Sequence, residues 1–152
     1  MMRHPNKLEQ SKTKIMEIIG LNSMPPISYK FWDTKDEAMY QVKYMKFDDK
    51  GIPNSIHVPH GDGSIIKWYH EGILIPSTGL YDNAKDELFM GDIVKCYFLD
   101  TMYKDRVVFW DNGWRVMGCT TEEFRDNCEQ FVSQLGNIWE DELMYKTYKT
   151  RF

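Results

Sequence analysis

Cysteine is scarce in this chain of 152 residues, and what there is does not pair. Cys96, Cys119 and Cys128 make an odd set with no short paired spacing, which argues against a disulfide framework and against a zinc knuckle. Three small thiols, buried or half-buried, are the expectation. Long apolar runs are missing too: stretches such as 72–76 and 97–99 fall far short of a membrane span, and the first residues are polar and basic with no secretory apolar region. No membrane contact is expected, and the reading is a cytoplasmic protein. There is also no alternation of strands with long helices, no internal repeat and no low-complexity run, which excludes a doubly wound sheet, a solenoid and a propeller.

What is present suits one domain. Apolar residues make up 42% of the chain and aromatic ones 14%, enough ring area to offset the ordering of the backbone. The net charge of −4 is unevenly spread. Residues 1–24 carry four Lys/Arg against two Glu, and residues 145–152 carry three Lys/Arg and no acid, so the two ends hold +5 and the centre −9. A body of that sign repels nucleic acid unless a local basic stripe overrides its field.

The stretch 77–94 organises the rest. Gly79 and Gly91 bracket a polar turn and can take positive φ without a Cβ penalty, Asp82-Asn83 suits a side-chain-to-backbone turn, and Ile93-Val94 opens a β-branched run. A sharp corner feeding a core strand follows, with Gly79, Leu80, Asp82, Gly91 and Asp92 as its structural residues. Before it, residues 6–20 place Leu8, Ile15, Met16, Ile18 and Ile19 on a helical pattern ended by Gly20, and Pro25-Pro26 makes a linker. Residues 29–32 and 39–47 read as a hairpin around a turn at 33–38. A weak strand at 55–58, a glycine-rich loop at 59–63 and an apolar piece at 65–69 come next. Strands are expected at 72–75, 93–99, 106–110, 114–117 and 134–139, with loop at 100–105. Asn112-Gly113 is a hairpin signal, and Thr120 with Glu123 has the form of a capping box ahead of Phe124, Cys128 and Phe131 at helical spacing. The fold class is therefore mainly β, a small, strongly bent barrel or sandwich with one or two short helices.

Three separated stretches add a resemblance. They are Phe31-Trp32-Asp33 with Lys35 and Met39; Thr78-Gly79-Leu80 and Asp82, then Gly91-Asp92-Ile93-Val94; and Gly136-Asn137-Ile138-Trp139-Glu140 followed by Leu143. Their order and spacing resemble the YopX-like family, small proteins found chiefly in phages and prophages. The resemblance covers residues 29–143 and implies an SH3-type β-barrel, a phage or prophage origin in the cytoplasm of a host bacterium, and no established activity. The chain departs from the family at Ala84, where Asn-Gly is usual, at Met90 in place of an acid, and near Asp141-Glu142, where a proline is missing. The division expected is a helix and linker at 1–26, a YopX-like barrel at 27–144 and a basic-aromatic tail at 145–152.

Chemistry-bearing groups are few. His57 and His60, with Asp62 and His70 nearby, are the metal candidates, but Pro59 between them and the lack of a helix to fix their spacing weigh against a site. Paired acids at 48–49, 122–123 and 140–142 read as solvated, and no stretch supplies the setting that an activated Cys needs. No catalytic residue and no cofactor is expected. Of the rings Trp32, Tyr40, Tyr44, Trp68, Trp110 and Trp114, most are expected in the core; Trp110 and Trp114 flank one turn and can pair on one face as an interaction surface. Tyr145 and Tyr148 alternate with Lys146, Lys149 and Arg151 as an arm able to touch phosphate and stack bases. The leading expectation is a non-enzymatic module that binds an unknown protein or further copies of itself. A nucleic-acid accessory factor using the basic ends is the alternative, and a metal-dependent hydrolase at His57 and His60 is third.

Overall fold

The structure, a computed structural model, describes residues 6–18, 28–141, 143 and 146. It is mainly β, with a curled half-barrel sheet. In chain order the elements are α1 (Lys7–Ile18), β1 (Tyr29–Asp33), β2 (Ala38–Gln41), β3 (Tyr44–Phe47), β4 (Pro53–His60), β5 (Gly63–Trp68), a 3₁₀ turn (Tyr69–Glu71) and β6 (Gly72–Tyr81). There follow β7 (Glu87–Phe89), β8 (Asp92–Phe98), β9 (Thr101–Val107), β10 (Phe109–Trp110), β11 (Trp114–Arg115), α2 (Thr121–Phe131) and β12 (Val132–Asn137). All the strand pairings are antiparallel, in the orders β2-β1-β6-β7, β3-β4-β5, β12-β8-β9 and β10-β11.

Two clusters of buried side chains form under these sheets. One gathers Leu88, Val94, Cys96, Phe98, Val108, Val116, Phe124, Cys128 and Val132 beneath α2. The other packs Phe31, Ile56 and Val58 with Tyr40, Val42, Met45, Ile65 and Leu74. The ten-residue β6 joins them: residues 72–76 pair with β1, and the rest of the strand pairs with β7. α2 starts where the sequence indicates, because the Thr120 hydroxyl accepts the Glu123 amide at 3.1 Å and Phe124 and Cys128 turn into the first cluster.

Several expectations need correction. The strand expected at 39–47 is two strands in two sheets. The Val42 amide donates to the Tyr29 carbonyl at 3.0 Å, and the Lys43 amide donates to the His57 carbonyl at 2.8 Å, so the chain changes partners between those residues. The loop expected at 59–63 shrinks to Gly61-Asp62, because β4 runs on through Pro59 to His60. The loop at 100–105 is mostly strand: Phe98 faces Thr101, and the turn is only Leu99-Asp100. Both turn residues have positive φ, 47° and 62°, the geometry of a tight hairpin that usually selects Asn-Gly. The opening of the organising stretch, residues 77–81, is also strand, since β6 continues to Tyr81.

Left-handed backbone at a branched residue costs on the order of 1 kcal/mol. Replacing Leu99→Asn and Asp100→Gly together is therefore expected to stabilise the fold by about 1–2 kcal/mol, seen in urea unfolding as a higher midpoint with an unchanged slope. A lower midpoint would contradict the turn geometry.

Candidate interaction surface

The residues that the sequence marks most strongly are scaffold. Asp82 is buried; its Oδ1 accepts the amides of Ala84 and Asp86, each at 2.9 Å, and its Oδ2 accepts the amide of Gln134 at 3.0 Å. Asp92 is buried as well; its Oδ2 accepts the Phe89 amide at 2.8 Å and the Gln134 side-chain amide at 3.0 Å. Gln134 therefore bridges two carboxylates, one through its backbone and one through its side chain. Gly79 and Gly91 have φ of 74° and 86°. A Cβ on Gly91 would lie 2.6 Å from the Trp139 ring nitrogen, which donates to the Met90 carbonyl at 3.1 Å. Leu80 packs against the first cluster. Burial raises the Asp92 carboxyl to about 6, against the pull of the Phe89 amide, Lys30 and Gln134.

Asp33 performs the same work in the second half of the fold. Its Oδ1 accepts the amides of Lys35 and Asp36, and its Oδ2 lies 2.9 Å from the Lys67 ammonium, which also meets Asp36 at 3.0 Å and the Tyr40 ring. Burial pushes the Asp33 carboxyl up, but Lys67 and the turn amides outweigh it and hold it below its ordinary value. This ion pair ties β1 to β5 across the cluster.

The structure does not bring the metal candidates together. His57 and His60 are three apart on β4, so their side chains leave opposite faces of the sheet. His57 is buried, hydrogen-bonded to Ser55 at 3.1 Å and stacked under Tyr44 with centroids 4.2 Å apart. His60 is exposed at the strand end, and His70 lies in the 3₁₀ turn beside Glu71. Among the described residues no three His, Cys, Asp or Glu side chains converge as metal ligands do. All three cysteines sit in the first cluster, and burial drives their thiols up, Cys119 to about 11 and Cys96 and Cys128 to about 12. A thiol held that high is a poor nucleophile near neutral pH.

The aromatic residues divide. Tyr40 and Trp114 pack against the two clusters and Trp32 is half-buried, whereas Tyr44, Trp68 and Trp110 are exposed. Trp110 faces Trp114 across the β10–β11 hairpin, the rings edge to face with centroids 5.1 Å apart, and Trp110 remains 62% exposed. The loop has three residues. Asp111 donates its amide to Gly113 and binds Arg115 at 2.7 Å, and the Arg115 guanidinium lies over Phe109 at 4.9 Å. Gly113, with φ 143°, sits so close to α2 that a Cβ would fall 2.7 Å from Thr121 Cγ2. A held hairpin thus presents one tryptophan on a base of ring, guanidinium and carboxylate. Tyr145 and Tyr148 lie outside the described residues.

Sequence reasoning missed Leu99, which is 85% exposed, and the pair Tyr97 and Phe131 on the outer face of β8 and the end of α2, with rings 6.5 Å apart. It also missed Ile66 on β5. Strict alternation along β8 was the available signal for Tyr97; nothing local marks Leu99, because its turn conformation is one that leucine rarely adopts.

Together the fold and this surface define a small, mainly β protein with buried polar ties and an exposed aromatic hairpin. The YopX family, described as YopX protein, matches residues 28–145, and the chain belongs to that family. No curated protein sequence matches it. Among solved structures it is similar to the crystal structure of protein EF1440 from Enterococcus faecalis, at 20% identity and a TM-score of 0.56, covering 78% of this chain and 98% of the other. Among the described residues no helix is long and apolar enough to cross a membrane.

Two stability outcomes follow from the buried acids. The Asp92 carboxyl rises from 3.8 unfolded to about 6 folded, so its contribution is fully present below pH 4 and is lost as pH rises through 6. The unchanged protein should lose on the order of 3 kcal/mol through this group between pH 4 and pH 8, and Asp92→Asn should flatten that dependence, measured by urea unfolding across pH. Lys67→Met should cost about 3 kcal/mol at pH 7 by leaving the buried Asp33 carboxylate without its cation, held by the two turn amides alone. The double variant Asp33→Asn with Lys67→Met should recover most of that loss, and equal losses in the single and double variants would refute the tie.

Proposed function

We propose that the protein is a non-enzymatic accessory module that binds a protein partner through the β10–β11 hairpin. The observation that carries this reading is Trp110, a large ring left mostly exposed yet held in place by Trp114, by the Asp111–Arg115 pair and by the seat of Gly113 on α2. Tryptophan and arginine dominate the energetic centres of protein interfaces, because a rigid ring gains much contact area at little entropic cost. The raised thiols and the separated histidines are consistent with a protein that performs no reaction. In this reading the curled sheet is an SH3-type barrel whose loops carry the contacts, the chain is of phage or prophage origin, and it acts in the cytoplasm of the host bacterium. The packing of β6, β7, β8 and β12 with α2 around the first cluster supports the barrel.

Affinity capture from the bacterial host tests the proposal with three proteins: the unchanged chain, Trp110→Ala, and Phe47→Ala as a control at another exposed ring, on β3. Trp110→Ala should keep its circular dichroism spectrum and lose about tenfold or more in affinity for a specific protein, while Phe47→Ala retains it. Equal retention by all three would overturn the assignment. So would steeply salt-dependent retention of nucleic acid in place of protein.

A further inference from the structure

An exposed sheet edge offers a row of unpaired backbone groups to any other strand, and proteins blunt such edges with bulges, short strands or covering loops. Most edges here are blunted. The outer side of β12 is covered by the 82–86 turn, where the Asn83 amide donates to the Val132 carbonyl and the Gln134 amide to Asp82. β9 is bent by a register shift at its middle, with Asp105 at φ 55°. β3 has a register shift at Lys46/Phe47, β2 has four residues and β7 three.

β5 is different. All six of its residues stand in unbroken register with β4, from Ser55 opposite Trp68 to His60 opposite Gly63. It has no proline and no bulge, and among the described residues no other backbone pairs with its outer edge. Its one charge, Lys67, points inward to Asp33 and Asp36. On the outer face Ile66 is 50% and Trp68 43% exposed, in rows with His57 and Tyr44 and with Ser55.

We propose that β5 is the interface of a symmetric homodimer, two copies joining β5 to β5 antiparallel about a two-fold axis at Ile66 to make a six-stranded sheet. The register identifies a second copy as the occupant. Residues opposite one another share a face, and centring on Ile66 sets Ile66 against Ile66 of the second copy and Ser64 against its Trp68, all on the outer face. Just past the ladder, Gly63 falls beside Tyr69, the arrangement in which an aromatic ring covers an edge glycine. On the inner face the same register sets Ile65 against Lys67 of the second copy, so no two like charges meet within the ladder. Centring on Lys67 would instead oppose two lysines. Such self-complementarity is what an isologous interface requires. The surface is separate from the Trp110 hairpin, and the inference does not depend on that hairpin binding anything.

Light scattering after size-exclusion chromatography of the full chain tests it, since the residue at 66 faces itself across the axis. The unchanged protein should run as a dimer. Ile66→Glu and Ile66→Lys should each weaken association about tenfold or more through like charges at the axis, with circular dichroism unchanged because the position is half-exposed. An equimolar mixture of the two variants should restore the dimer, now with opposite charges at the axis. A monomeric unchanged protein, an Ile66→Glu variant that associates as before, or a mixture that stays monomeric would each overturn the proposal.

Discussion

The fold depends on one side chain held between two buried carboxylates. Gln134 gives its backbone amide to Asp82 and its side-chain amide to Asp92, and each acid in turn holds the backbone of its own corner. Burying an unpaired carboxylate is prohibitive, and a hydrogen bond to an ionised group is worth about 1.5–3 kcal/mol. Asp82 meets that demand with three backbone amides. Asp92 meets it less completely, which is why burial leaves its carboxyl high. The two corners and β12 are thereby fixed to one another, and Trp139 completes the arrangement by lying on Gly91, where only a residue without a Cβ leaves it room.

Given that junction, the position of the rest follows from β6. A ten-residue strand that pairs first with β1 and then with β7 passes beneath both clusters of buried side chains. The Asp33–Lys67 pair is the counterpart of the Gln134 bridge, joining β5 to β1 where the hydrogen-bonded ladder does not reach. Polar ties therefore hold the half-barrel where its sheets are not continuous, and apolar packing fills the space between them.

Legibility in the sequence tracked how local each feature was. The Asn112-Gly113 hairpin and the Thr120 cap are fixed within a few residues, and both stand where the residues put them. The sheet switch at Val42-Lys43 was not legible, because it is decided by Tyr29 and His57, which are distant in sequence. Pro59 suggested a loop, yet proline is tolerated near the end of a strand where its missing N–H is not needed. The Leu99-Asp100 turn has a usual turn residue only in Asp100, and the strands on either side impose on Leu99 a geometry that leucine does not favour. The pairing of Trp110 with Trp114 followed from their places around one turn. The exposure of Tyr44, Ile66 and Trp68 on one sheet face did not, because it requires knowing which side of that sheet the second cluster covers.

The positions by which the chain resembles its family are the ones the fold consumes. Asp33 is spent on Lys67 and a turn, Asp82 and Asp92 on Gln134, Gly91 on Trp139, and Thr78 on the Leu88 carbonyl at 2.8 Å. A carboxylate whose oxygens already accept two or three hydrogen bonds has little capacity left for a substrate proton or an ion. Such a pattern specifies a shape and leaves its use to the residues that the pattern does not constrain. On this chain the outward rings Tyr44, Trp68 and Trp110 and the outer edge of β5 lie outside that pattern, and they can change without disturbing either cluster. A common fold without a common chemistry is the physical expectation for a scaffold of this kind.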